Sequence, residues 1–328
     1  MDSAARRLRI RGMDRRAFLA ASAAGLLAPR TLDARLGGTP VALVTADLES
    51  RLVAVELATG RRLRRIPTLP GPRSIERVGD AAVVAHTEKG AVSILEGATL
   101  RIRRVLTRFT EPRYTAASRE GGYAFVSDSG AHEVVVLDVI RGIVLARVDV
   151  RPARHISLRP DGRRLWVSLG SKAREVAVVD VRDAHRPRLV RRFAPPWLAH
   201  DVGVGPNGHV WVTSGERGQL ALYDAASGRL SRRLPAGGPP QHVAFLGGRA
   251  YVTSGDDGTL EVRSATSGAV FHTTRIPVGS YNVQDGWGVV LTPSVEDGTL
   301  CIADRGRRLL HRLTAARSSH DACFVMSR

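Results

Sequence analysis

Four histidines, His155, His200, His242 and His320, are separated by 45, 42 and 78 residues, the last interval being close to twice 39. Near-equal spacing over this distance places them at equivalent points of a repeated unit. Equivalent points of a closed array face a shared axis. Ser74, Tyr114 and Asn282 fill the same place in the remaining units, so seven positions form one ring. Arg73, Arg113 and Arg154 stand one residue ahead of it in three of them. A ring of imidazoles and guanidiniums suits an anion. Alternatively, the imidazoles ligate a transition metal, with His155, His200 and His242 from consecutive units as the candidate set. The two readings stay open, because ligation needs ring nitrogens about 2 Å from one ion and spacing alone does not measure that.

The elements that carry this ring follow from a second pattern. A short apolar run ending in a small residue recurs as Ala42–Thr45, Ala82–Ala85, Ala124–Ser127, Leu165–Ser168, Val210–Thr213, Ala250–Thr253 and Val289–Thr292, at spacings of 40, 42, 41, 45, 40 and 39. Around each run lie three more strand-length pieces separated by turn residues. In residues 241–276, His242–Phe245 (strand a) precedes the turn Gly247-Gly248. Ala250–Thr253 (strand b), Leu260–Arg263 (strand c) and a strand beginning at Val270 (strand d) follow. Short strands with turns every eight to twelve residues indicate an all-β array rather than βαβ units. Strand c often ends in an acid with glycine four residues later: Glu56 with Gly60, Asp138 with Gly142, Asp224 with Gly228. Such acids close turns by accepting backbone N–H bonds and are not offered as catalysts.

Tyr251-Val252-Thr253-Ser254, with the Pro-x-His, Asp-Gly and Asp-x-x-x-Gly elements, resembles the YVTN-type repeat of seven-bladed propellers over residues 41–328. The resemblance implies an all-β, seven-bladed β-propeller of four-stranded antiparallel blades around a central channel. It also implies that the post-proline histidine can serve the repeat itself, bonding a neighbouring blade. The chain enters the array at strand b and ends on a strand-a pattern, His320–Met326. The C-terminal strand is therefore expected to complete the N-terminal blade, removing an open sheet edge. Strand a should line the channel. The d-to-a and b-to-c loops should share one face, where a site is expected. The b-to-c loops bring Asp47, Glu49, Glu88, Asp128, Glu133, Glu216, Asp256, Asp257, Glu296 and Asp297 to that face. Trp197 should also lie there, as a stacking platform or as a plug of the loop core.

Residues 1–34 read as an export address and short linker. Arg15, Arg16, Phe18 and Leu19 resemble the R-R-x-F-L core of twin-arginine signals, followed by an alanine-rich run too short to span a bilayer. Met13 is an alternative start. The expected location is outside the cytoplasmic membrane, periplasmic or extracellular. No other segment is long and apolar enough to cross a membrane.

The formal charge is +18, and 47 of the 49 basic residues are arginine. Removing residues 1–34 leaves 42 basic and 28 acidic residues, a net +14. The arginines are spread through the chain rather than gathered on one element with aromatics, so nucleic acid is not the expected partner. A genome-wide arginine preference would give this distribution, and the surplus charge favours small anionic ligands or a cell-envelope or protein partner. Cys301 and Cys323 are too few for a disulfide framework and fall on different strand types, so both are expected buried and unpaired. No G-x-S-x-G, H-E-x-x-H, C-x-x-C or phosphate-binding glycine loop occurs. No cofactor is implied. The sequence favours a monomeric exported binding or scaffold protein that holds its ligand at the channel mouth. The alternative is a propeller hydrolase or lyase, lactonase-like, with a channel-mouth His/carboxylate site that is metal-dependent in some such enzymes.

Overall fold

A computed structural model describes residues 38–305 and 308–328. The signal-like residues Arg15, Arg16, Phe18 and Leu19 lie outside the described residues. The described chain forms seven four-stranded antiparallel sheets in a ring, with two 3-10 turns and no α-helix. Blade 1 contains Thr39–Ala46, Arg51–Glu56 and Arg62–Pro67, and its innermost strand is Ala322–Ser327 from the C-terminus. Thr39–Ala46 pairs with that strand in the register Ala42↔Phe324 and Val44↔Ala322. Blades 2 to 7 follow in order over residues 72–106, 112–149, 156–193, 202–235, 243–275 and 284–314.

Within each blade the burial follows position in the sheet. The second and third strands are covered on both faces by neighbouring blades, so they read as continuous apolar runs. Ala81–His86 is buried at every residue, and Glu133–Asp138 at four central ones. The core is a set of layers between blades. One layer joins Leu43, Leu52 and Ala54 of blade 1 to Ile75, Ala82 and Leu95 of blade 2. Another joins Val289, Leu291 and Ile302 of blade 7 to Val44, Val53 and Phe324 of blade 1. All seven pairings of third and outermost strand carry a register shift, such as Ile94/Leu95 and Val262/Arg263. Such bulges increase local twist, here at the same place in every blade.

The outermost strands explain part of the arginine content. They hold Arg62, Arg64, Arg65, Arg101, Arg103, Arg104, Arg147, Arg188, Arg191, Arg192, Arg232, Arg233, Arg275 and Arg312, against a single acid, Asp149. Several donate to the c–d turn of the next blade. Arg64 Nη1 reaches the Thr99 carbonyl at 3.1 Å, Arg103 Nη1 the Ile140 carbonyl at 3.0 Å, and Arg191 Nη1 the Ser227 carbonyl at 2.6 Å. Arg232 Nη1 reaches the Ser267 carbonyl at 3.0 Å, and His311 Nε2 closes the ring onto the Ala58 carbonyl at 3.0 Å. These clasps satisfy turn carbonyls that would otherwise face only water. The perimeter thus uses guanidinium reach to tie blade to blade.

The c–d turns close as the sequence indicates. Gly142 N–H donates to the Asp138 carbonyl at 2.8 Å and Arg141 N–H to Asp138 Oδ1 at 2.8 Å. Gly228 N–H reaches the Asp224 carbonyl at 2.8 Å. Cys301 and Cys323 are both buried and free. Among the described residues, no helix is long and apolar enough to cross a membrane.

Candidate functional site

The small polar residue that ends the second strand positions the channel-mouth residues. Ser168 Oγ accepts from the His155 backbone N–H at 3.3 Å and donates to the His200 carbonyl of the next blade at 3.0 Å. Thr213 Oγ1 accepts from Asp201 N–H at 2.9 Å and donates to the Gln241 carbonyl at 2.7 Å. Thr253 Oγ1 accepts from His242 N–H at 3.4 Å and donates to the Tyr281 carbonyl. Thr45 Oγ1 accepts from both His320 N–H and Asp321 N–H. A hydroxyl can accept and donate at once, so in blades 4, 5 and 6 this residue fixes its own blade's strand start and ties it to the next.

The register separates the predicted ring into two tiers. Ser74 pairs with Ala85, and Ile156 with Val167, so Ser74 and His155 stand opposite the end of the second strand. Tyr114, opposite Ser127, and His242, opposite Thr253, take the same place. In blade 5 this place belongs to Asp201, not His200: Thr213 N–H donates to the Asp201 carbonyl. In blade 1 it belongs to Asp321, not His320, and in blade 7 to Val283, one residue after Asn282. His200, Asn282 and His320 therefore occupy the upper tier with Arg73, Arg113 and Arg154. The equivalence of the four histidines assigned from spacing is corrected by one residue in three units. Repeats of 39 to 45 residues conceal such a slip.

The side chains nonetheless converge. Ring centroids of His155 lie 4.7 Å from those of both His200 and His242, and His200 is 5.4 Å from His242. Tyr114 stacks on His155 at 4.1 Å. One ring nitrogen from each of His155, His200 and His242 falls within 4.8 Å of the others. The hydrogen bonds say which nitrogen is free. His242 Nδ1 donates to Asp201 Oδ2 at 3.1 Å and His200 Nδ1 to the Ser171 carbonyl at 3.2 Å. With the Ser168 proton committed to His200, His155 Nδ1 donates to Ser168 Oγ at 3.3 Å. All three rings thus keep Nε2 as a lone pair, and His155 Nε2 is buried without a partner. His320 differs: its Nδ1 accepts from Asn282 Nδ2 at 3.1 Å.

Electrostatics favour the neutral form of His155, His200 and His320. Burial, then His242, His200 and Arg154, hold His155 well below its ordinary value. Burial and His242 push His200 down to about 4, with Asp201 opposing. Burial, Arg73 and His242 hold His320 well below its ordinary value. Neutral imidazole is the ligand form.

Two cavities meet at this plate. Toward the channel, a cavity of about 440 Å³ is lined by Glu76, Asp201, Asp285, Asp321, His155 and His242, with no lysine or arginine among its lining residues. Burial, reinforced by Asp321 and Asp285, raises Glu76 to about 8; burial raises Asp321 to about 7 and Asp285 to about 6. Toward the mouth, a pocket of about 340 Å³ is lined by Arg73, Arg154, Lys172, His200, His242 and His320, together with Glu216 and Asp256.

The remaining predicted residues divide. Arg73 and Arg154 line the mouth; Arg113 is drawn toward Glu111 at 3.5 Å. Ser74 is buried and lines neither cavity. Asp128 accepts from Thr110, Glu111 and Ala131 N–H groups and is a turn closer. Trp197 packs into the core of blades 3 to 5 and also lines a separate cavity of about 420 Å³ with Arg174, Pro196 and Arg217. Asp201, Asp285, Asp321 and Glu76 were missed. Shifting the blade 5 alignment by one residue would have brought Asp201 into the ring; for Glu76 and Asp285 the signal was acids on strand a, where channel-lining positions alternate.

No protein-family model matches the chain, and no curated protein matches it in sequence. Solved structures do resemble it. A functionally unknown protein from Desulfotomaculum acetoxidans superposes with a TM-score of 0.75 at 10% identity, covering 88% of this chain and 99% of that one. Apo AztD from Citrobacter koseri gives 0.69 at 12% identity, covering 88% and 98%. Kuenenia stuttgartiensis hydrazine synthase gives 0.64 at 15% identity, covering 77% and 89%. At these identities the likeness concerns the fold alone.

Proposed function

We propose that this chain is an exported binding protein that holds a divalent transition-metal ion, zinc foremost, at its channel mouth through His155, His200 and His242. The observation that carries the reading is convergence of three buried or half-buried imidazoles, each tied at Nδ1, that bring one ring nitrogen apiece to within 4.8 Å of the others. Metal-bound histidines characteristically donate their other N–H to a carboxylate or carbonyl, and here Asp201 and the Ser171 carbonyl are already in that role. Nitrogens around a tetrahedral zinc lie about 3.4 Å apart, given bonds near 2.1 Å, so the rings need close by only about an ångström. A tris-imidazole zinc with an open position supplies a Lewis acid and, with water, a hydroxide near neutral pH. Export through the twin-arginine-like signal is part of the proposal.

Binding is favoured over catalysis because the carboxylates that line the mouth pocket are already engaged. Glu216 pairs with Lys172, and both Asp256 oxygens are engaged, by Tyr281 Oη and Gln241 Nε2, each at 2.9 Å. Competition against a chromophoric chelator tests the proposal. One zinc per chain is expected, with affinity lost by about a hundredfold or more in His155→Ala and His200→Ala, and kept in His320→Ala. Failure to bind stoichiometric zinc, or equal damage by all three substitutions in folded protein, would overturn it.

A further inference from the structure

We propose that the pocket above the three histidines is a binding site for a small oxyanion, a carboxylate or a phosphate, held by Arg154 and Arg73. The site deepens the metal-binding reading, sharing its mouth, but it stands on the arginines and does not require the metal.

The pocket carries more cation than its own residues answer. Lys172 is ion-paired with Glu216. Asp256 takes its hydrogen bonds from two neutral donors, Tyr281 and Gln241, and keeps its charge, so the lining's three cations, Arg73, Arg154 and Lys172, exceed its two carboxylates by one. Arg73 is half-exposed and meets Asp47 only at 3.8 Å, outside hydrogen-bond range. Arg154 has no carboxylate within 4 Å among the described residues, and its Nε is buried without an acceptor. An unpaired buried guanidinium donor is costly, and the cost falls when an acceptor arrives.

The chemistry of the acceptor follows from the donors. Guanidinium forks match carboxylate and phosphate oxygens two at a time, which a monatomic anion cannot reproduce. Tyr114 supplies an aromatic wall. The volume of about 340 Å³ admits a small polyatomic anion with its waters and excludes a large one. The net positive charge of the chain draws anions to that mouth.

The test uses the full chain stripped of metal and titrated with sodium phosphate and with sodium succinate, each against sodium chloride at equal ionic strength. Calorimetry and melting temperature are read together. A saturable response to phosphate, succinate or both, absent with chloride, is expected, and the stronger of the two identifies the source. Arg154→Gln should weaken it about tenfold or more, since a charge-assisted bond is lost. Arg154→Lys, which keeps the charge and loses the fork, should weaken it several-fold. The response is expected in the metal-free chain, so it does not depend on occupancy of the metal site. No response beyond chloride, or a response that survives Arg154→Gln combined with Arg73→Gln, overturns the proposal. Retention of the full response in Arg154→Gln does so as well.

Discussion

Glu76→Gln should stabilise the propeller at alkaline pH and leave it nearly unchanged at pH 5. Glu76 sits on the innermost strand of blade 2 and faces the channel cavity beside Asp285 and Asp321. Its Oε2 accepts from Gln284 Nε2 at 3.4 Å and its Oε1 from the Arg77 N–H at 3.1 Å. Neither bond offsets burial and the two neighbouring carboxyls, so the group is raised from 4.5 to about 8. Each pKa unit is worth about 1.4 kcal/mol, and the cavity's room for water reduces the full figure to on the order of 2–4 kcal/mol. The folded chain holds this proton between pH 4.5 and about 8 while the unfolded chain releases it. Its contribution is therefore complete below the lower value and is lost as pH rises to the upper one. Glutamine cannot ionise, so the variant escapes that loss. Melting curves of both proteins at pH 5 and pH 8.5 should coincide within a degree or two at the first. The variant should lie roughly 4–8 °C higher at the second, for a domain of this size. Equal differences at both pH values, or a variant less stable at pH 8.5, would refute the argument.

Asp201→Asn should keep the fold, because Oδ1 can still accept from Val202 N–H. It should weaken zinc binding about 10- to 100-fold by losing the carboxylate that orients His242, as read by chelator competition. Deleting residues 319–328 removes the innermost strand of blade 1 with buried Cys323, Phe324 and Val325. Burial of such side chains is worth about 1.5–3 kcal/mol each, so circular dichroism should show no cooperative folded state. Arg103→Ala should cost about 1 kcal/mol in urea denaturation by releasing the Ile140 carbonyl. Arg101→Ala, at an exposed position on the same strand, should cost close to nothing.

The repeat made the architecture legible because each blade restates the same instructions. The apolar run recurs seven times and the acid four residues before glycine three times, so errors in any one copy are outvoted. Even the closing strand followed, since a ring that opens on the second strand must borrow its first. The site was less legible because it depends on single residues. A slip of one residue in blade 5 replaced Asp201 with His200, and only the pairing of Val202 with Val212 shows which faces the strand end. His320 reads like the other histidines along the chain, and only its bond from Asn282 sets it apart. The acids of the channel went unread because three of them, Glu76, Asp285 and Asp321, lie on inner strands otherwise read for their apolar pattern. The arginine clasps were invisible for a different reason. They join residues 35 to 37 apart, across a blade boundary, through carbonyls that carry no sequence signature.

Anomalous diffraction at the zinc edge, on crystals of the full chain grown with one equivalent of zinc, tests the central claim most directly. The account predicts a single dominant peak bounded by the Nε2 atoms of His155, His200 and His242, with Asp201 on the far side of the His242 ring. A dominant peak anywhere else, or none while the three rings stay ordered, would contradict it.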